Sequence, residues 1–266
     1  MITVRSLHVY PVKSCRGIDV EAAEVVATGF RHDREWMVVD AGGAFLSQRS
    51  HPGLATVATR LGDGHLTLTA AGAPDLHVGI EPGEGDPQQV TVWRDTCRAV
   101  SEGPEAAAWL TSVLGTRCEL VRLPTTSVRS VDPRFAGADD RVAFADGFPF
   151  LVIGQSSVDE LNRRLARPVP ADRFRANIVV DGAAAHDEDS WSSITIGGIV
   201  FEVAKPCARC AIVTTDQATG ARSPEPLRTL ASYRNEGGRI LFGQNLLHRG
   251  TGTIRVGDEI RIVRRR

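Results

Sequence analysis

Lysine is nearly missing from this sequence. Of 31 cationic side chains only Lys13 and Lys205 are lysine; the others are arginine. They are offset by 32 carboxylates, for a net charge of −1, so the basic footprint of a nucleic-acid binder is absent. No apolar run approaches the ~18 residues of a membrane-spanning helix. The opening Met1-Ile2-Thr3-Val4-Arg5 has no apolar leader region, so no secretory signal is expected. The five cysteines (15, 97, 118, 207 and 210) are odd in number and irregularly spaced. That excludes a disulfide framework and points to a reducing compartment, with the cytoplasm the expected location. The phosphate loop GxxxxGKS/T, the zinc helix HExxH and the nucleophile elbow GxSxG are all absent, as is any internal repeat.

What remains is an ordinary globular composition, 42% hydrophobic and 24% charged over 266 residues. The β signals dominate. Residues 2–12 are β-branched, residues 35–47 read as a hairpin around Gly42-Gly43, and Leu66, Leu68, Val78 and Val90–Trp93 continue the pattern. Glu81–Asp86 reads as a turn-rich loop. Pro104 and Gly115 bracket a helix. Val121–Asp140 has little periodicity and reads as a connection between two halves. In the second half, Phe148–Ile153 and Ile178–Val180 read as strands. Ser157-Val158-Asp159-Glu160 matches a capping box opening a helix. Ile194–Val203 reads as a hairpin about Gly197-Gly198, and Cys210–Thr215 as strand-like. Leu227–Tyr233 suggests a short helix, and two closing strands flank Gly257-Asp258. The fold class is α+β, predominantly β. Long alternating helices and a glycine-rich phosphate loop are missing, which excludes a dinucleotide-binding fold.

Three local patterns carry chemistry. Lys205-Pro206-Cys207-Ala208-Arg209-Cys210 fits half a zinc site, a redox dithiol, two inert buried thiols, or a soft thiolate ligand for a heavier metal. The histidines are too scattered to complete a zinc site, and no helix is expected to follow the cysteines. These weigh against zinc and a dithiol without removing them; spacing alone favours two inert thiols, while Lys205 and Arg209 favour a thiolate or an anion beside it. Arg175 and Asn177 in Phe174-Arg175-Ala176-Asn177 are two apart. They share one face if a strand starts there, which suits a phosphate or a heterocycle edge. Lys13-Ser14 in Pro11-Val12-Lys13-Ser14-Cys15 offers an ammonium and a hydroxyl to an anion.

Taken in order, Pro11-Val12-Lys13-Ser14-Cys15, Asp33-Arg34-x-Trp36, Gln48-Arg49, Phe174-Arg175-x-Asn177, Glu188-Asp189-x-Trp191, Cys207-x-x-Cys210, Phe242-Gly243-Gln244 and Gly252-Thr253-Ile254-x-Val256-Gly257-Asp258 resemble the two-domain MOSC proteins. The resemblance covers nearly the whole chain. It implies an N-terminal β-barrel-like domain, residues 1–122, packed against a MOSC β-barrel domain, residues 123–266. It also implies molybdenum cofactor, with Cys210 as the metal-binding and catalytic cysteine and Cys207 in support. Lys13, Ser14, Arg34, Arg175, Asn177 and Arg209 fall where the family places cofactor contacts. Asp146 matches a pterin-contacting acid, and Asn245 stands where the mitochondrial members carry an aromatic residue. The ligand is then expected at the junction of the halves.

The activity implied is reduction of N-hydroxylated small molecules such as hydroxylaminopurines, amidoximes or hydroxylamines, a detoxifying role. The chain stops at Arg266 without the cysteines of the iron–sulfur domain that some relatives carry. Electrons are therefore expected from an external donor: a ferredoxin, flavin reductase or cytochrome. Nucleic acid and membrane are not expected partners. Two other readings stay open, a non-catalytic cofactor carrier or sulfur-passing module, and a metal-free β-barrel binding protein.

Overall fold

The computed structural model describes residues 1–81 and 87–266. Apart from Glu81, the loop expected over Glu81–Asp86 lies outside them. The largest element is a closed ring of seven strands. Phe150–Gly154 pairs with Ile178–Asp181, which pairs in turn with Ile2–Val9, Glu259–Arg265, Trp191–Ile196, Ile199–Ala208 and Arg239–Arg249. The last returns to Phe150–Gly154. Only the first pairing is parallel, and the helix Gln155–Asn162 lies in the connection between its two strands. The strand of residues 2–9 closes the ring between strands more than 170 residues away in sequence: Thr3 faces both Asp181 and Glu259.

Alternation, reset by irregularities in register between Val4 and Ser6 and between Trp191 and Ile194, explains the ring's interior. Trp191, Ile194 and Ile196 on one strand, with Val4, Leu7, Phe150, Val152, Phe201 and Leu246 on others, form one buried cluster. Phe150 meets Phe30 and Phe201 edge to face, with centroids 4.9 and 5.4 Å apart, an arrangement aromatic quadrupoles favour. Much of the chain from residue 36 to residue 123 builds a second unit with its own core, which Val12 and Cys15 join, whereas Ala23, Val25 and Phe30 pack into the ring. The second unit includes a four-stranded sheet (Trp36–Asp40, Cys118–Arg122, Asp95–Ser101, Gln88–Val92) and a three-stranded one (Ala58–Gly62, His65–Thr69, Leu76–Gly79). The helix Pro104–Leu114 packs Ala106, Trp109 and Leu110 onto Trp36, Leu66 and Leu120. Proline opens it and Gly115, at φ 66°, ends it, as their backbone preferences dictate. The α+β, mainly β class agrees with the sequence.

Three local expectations are corrected. The helix near residue 157 starts at Gln155 behind Gly154, with no side-chain cap; the Ser157 hydroxyl instead donates to the buried Glu188 carboxylate at 2.8 Å. Residues Ala211–Thr214 form a 3-10 turn rather than a strand. Arg175 lies in the left-handed region at φ 54°, outside the strand that begins at Ile178, so the two-residue spacing to Asn177 does not set a common face. The two closing strands flank the turn as expected, Gly252–Arg255 pairing with Ala22–Val26 and Glu259–Arg265 joining the ring.

The ring closes through Gly243, at φ 77°. A Cβ there would sit 2.6 Å from Ile153 Cγ2 and 2.7 Å from the Val152 carbonyl. Gly243→Ala is expected to lower the unfolding free energy by about 2–4 kcal/mol, from overpacking and the left-handed backbone together; urea denaturation checks it.

Candidate functional site

Two crossings of the chain frame one cleft. Leaving the ring after Val9, the backbone makes a tight turn at Val12–Cys15, with the Cys15 amide donating to Val12 O at 3.1 Å and Ser14 at φ 71°. It returns through residues 143–149, where the Phe144 amide donates to Arg34 O at 2.8 Å. Facing these are the segment Phe174–Asn177 and the end of the ring strand that carries Cys207. The structure brings all nine sequence-predicted residues onto this cleft: Lys13, Ser14, Arg34, Asp146, Arg175, Asn177, Arg209, Cys210 and Asn245. Cys207 joins them. The first four come from residues before 147 and the other five from the second half.

Its wall is cationic. Lys13 is buried, and its Nζ donates to Phe144 O at 2.7 Å and Asp146 Oδ1 at 2.5 Å. Burial pushes the ammonium below the ordinary lysine range. Asp146 is 60% exposed. Desolvation works against its charge, but the Lys13 ammonium prevails and holds the carboxyl well below the usual range. An anion approaching Lys13 and Ser14 therefore meets an ion pair, not a bare ammonium.

Arg34, at φ 51°, donates from Nη1 to both oxygens of the buried Asp33 carboxylate, at 2.8 and 2.6 Å. Its Nη2 donates to the Arg175 carbonyl at 3.1 Å. The Arg175 Nη1 donates to Cys15 O at 2.6 Å and to Gln217 Oε1 at 3.3 Å. Burial pulls this guanidinium down to about 10, which still leaves it charged at neutrality. Both guanidinium groups lie on the Tyr10 ring, 4.2 and 4.4 Å from its centroid. The Tyr10 hydroxyl donates to Ala176 O at 3.1 Å.

The two cysteines differ. Arg209 Nη1 donates to Cys207 Sγ at 3.0 Å, while its Nη2 donates to Phe174 O at 2.7 Å. Cys210 Sγ has no hydrogen-bond partner among the described residues and is partly exposed. It stands at the start of the 3-10 turn Ala211–Thr214, whose Val213 amide donates to the Cys210 carbonyl at 3.2 Å. Asn177 ties His8 to Leu151. The Asn245 amide reaches only two long contacts, 3.4 Å each, to Lys205 and Pro206 carbonyls. Lys205 lies over the Phe135 and Phe148 rings, so the second lysine does not reach a cysteine through any hydrogen bond or ion pair among the described residues.

Two buried donors in this wall have no acceptor among the described residues, Arg175 Nη2 and Arg209 Nε. Leaving such a donor unpaired costs about 1–3 kcal/mol. Strained backbone collects here as well. Of seven non-glycine residues at positive φ among the described residues, Ser14, Arg34 and Arg175 line the cleft, and Trp93 touches Asp146. Such strain persists where surrounding contacts over-determine it. Chemically, the cleft offers soft sulfur, hydrogen-bond donors and excess positive charge: a place for an acceptor-rich anion with a thiophilic centre.

Sequence reasoning missed Tyr10, Gln217 and Trp93. Gln217 exchanges amide hydrogen bonds with Gln48, 2.9 and 3.0 Å, across 169 residues, and no spacing rule reaches that far. Glu188, Asp189 and Gln244 support the site from outside it. Asp189 accepts from Arg234 and Gln244, at 2.5 and 2.6 Å, fixing the strand beside Asn245.

Two family models match the chain: the MOSC N-terminal beta barrel domain over residues 1–117 and the MOSC domain over residues 139–261. The chain belongs to the MOSC family. Among its relatives, mitochondrial amidoxime-reducing component 1 of Mus musculus is 37% identical over 277 residues, spanning 97% of this chain and 81% of that protein. The Homo sapiens protein of the same name is 34% identical, spanning 97% and 82%. Molybdenum cofactor sulfurase of Oryza sativa subsp. japonica is 32% identical, spanning 91% of this MOSC chain but 32% of its own length.

The thiols of this MOSC protein give a direct check of the geometry. Burial pushes Cys15 up to about 12, so it stays a protonated, inaccessible thiol even at pH 9. Alkylation of the native protein followed by peptide mass spectrometry is expected to modify Cys207 and Cys210. Cys15 and Cys118, both buried, should remain unmodified until the protein is unfolded.

Proposed function

We propose that this protein is a molybdenum-cofactor-dependent reductase of N-hydroxylated compounds, supplied with electrons by a separate redox protein. Cys210 carries the reading. It is a partly exposed sulfur with no protein partner among the described residues, lining a cleft walled by Arg34, Arg175 and Arg209. The names of the relatives support it: both groups are named for molybdenum cofactor or for amidoxime reduction.

The residues present fit a phosphate-ended pterin with a sulfur-chelated metal. The orphaned Arg175 Nη2 and Arg209 Nε are donors that such an anion can satisfy after small side-chain shifts. Cys210 would hold the metal, since thiolate suits a soft ion, with Cys207 keeping Arg209 in place. Arg34, Arg175 and Asn245 would face the pterin and phosphate. When bound, the cofactor supplies the electron pair that cleaves the N–O bond. Overall, an N-hydroxylated amine takes up two electrons and two protons and leaves as amine and water. The chain's share is to neutralise charge with fixed guanidinium groups and to keep a proton on Lys13 Nζ against Asp146 Oδ1. A ferredoxin, flavin reductase or cytochrome is the donor class, and the cytoplasm is the proposed location.

A cofactor-holding module is the second reading. Its support is the sulfurase relatives, in which nearly the whole of this chain matches about a third of a longer protein. The two readings separate in one experiment on wild type, Cys210→Ala and Cys207→Ala: molybdenum and pterin content beside turnover of an N-hydroxylated base with reduced methyl viologen. The wild type should hold metal and turn over. Cys210→Ala should lose at least about a hundredfold in turnover, the scale expected when a metal centre loses a needed ligand or its support. Cys207→Ala should be damaged more mildly. Metal without turnover in the wild type would favour the carrier.

A further inference from the structure

Of the four tryptophans, Trp36, Trp109 and Trp191 are buried and only Trp93 is exposed, at 43%. Trp93 is one of two residues in the tight loop between Gln88–Val92 and Asp95–Ser101, where Val92 faces Asp95. Its φ is +60°. Two-residue hairpin loops with positive φ select glycine, asparagine or aspartate, and a bulky side chain there is strained. Strain of this kind concentrates where function needs it.

Three contacts hold the ring. Its Nε1 donates at 3.1 Å to Asp146 Oδ1, the same oxygen of this cleft-lining carboxylate that accepts from Lys13. Phe45 lies 5.0 Å away at a tilt of 57°. The Arg49 guanidinium stacks at 3.8 Å from the ring centroid. Arg49 has no carboxylate partner among the described residues, and its Nη2 is buried without an acceptor. The indole, not an ion pair, fixes that arginine. The result is an aromatic surface, backed by a cation and tethered to the cleft wall, at a position where a small turn residue would fold more easily.

We propose that Trp93, bonded to Asp146 of the cleft wall, is a docking platform for the substrate. It gives the site a preference for flat, conjugated N-hydroxylated compounds, such as an N-hydroxylated nucleobase or an arylamidoxime, over small aliphatic hydroxylamines. The inference rests on the reductase reading and deepens it. Stacking is the physical basis: any conjugated ring presents a π-face to the indole, and hydroxylamine presents none.

Two variants test the platform in the cofactor-loaded protein. Trp93→Asn accepts the left-handed backbone, so its fold is secure. Trp93→Phe keeps a ring but loses the N–H to Asp146. With reduced methyl viologen as donor, Trp93→Asn should lose about tenfold or more in kcat/KM for N-hydroxylated adenine, through KM, as expected for one lost stack. The loss for hydroxylamine should be clearly smaller, and Trp93→Phe should recover most of the discrimination. Equal losses for both substrates, or a Trp93→Phe variant as poor as Trp93→Asn, would mean that the residue acts by holding Asp146, and the proposal fails. Fluorescence gives a second readout. Trp93 is the exposed indole, so N-hydroxylated adenine should quench wild-type emission, hydroxylamine should not, and Trp93→Phe should remove the quench. No quench in the wild type overturns the platform. If the wild type reduces neither compound, the reductase reading fails, and the quench still decides the platform.

Discussion

A buried guanidinium must be given acceptors, and Arg175 draws one of its own from Cys15, 160 residues earlier in the chain. That demand organises the cleft. Arg34 reaches the Arg175 carbonyl, and Tyr10 lies against both cations and bonds to Ala176. Gln217, paired with Gln48, accepts from the same guanidinium. Removing any one of these would strand charge or donors out of water, where an unpaired buried ion is costly. The cleft is thus tied to the closure of the strand ring, because the strand of residues 2–9 leads directly into Tyr10 and the Val12–Cys15 turn.

The charge balance of the site follows from this arrangement. Lys13, Arg34, Arg175 and Arg209 face the cleft, while Asp33 and Asp146 answer two of them. Positive charge remains in excess even though the whole chain is nearly neutral. Asp146 stays ionised because Lys13 is beside it, and Lys13 stays in place because Asp146 and the Phe144 carbonyl accept hydrogen bonds from its ammonium. The two cysteines sit three residues apart with different tasks open to them: one sulfur is engaged by Arg209 and the other is not.

Much of the fold could be read from local pattern. Pro104 and Gly115 mark a helix because each restricts or frees φ at its own position, and Gly197-Gly198 mark a hairpin for the same reason. Reading failed where composition and geometry diverge. Ile212, Val213 and Thr214 look like a strand, yet no neighbouring strand is there to pair with them, and they coil into a 3-10 turn. Ser157 and Glu160 satisfy the spacing of a capping box, but Glu188 offers the Ser157 hydroxyl a buried acceptor, and tertiary bonding wins.

The sequence alone determined the mainly β class and the order of most elements, whereas the nine residues that the cleft collects were named through the resemblance to the MOSC family. Turn chemistry, alternation and residue type act over a few positions and need no knowledge of the rest of the chain. Only tertiary structure decided that Lys13 is paired with Asp146, that Arg175 stands on Tyr10 beside Arg34, and that Cys207 is engaged while Cys210 is open. Only tertiary structure brought Trp93 to Asp146. Those outcomes depend on strand pairings across more than a hundred residues and on which buried donor finds an acceptor, and neither is written in any local run of side chains.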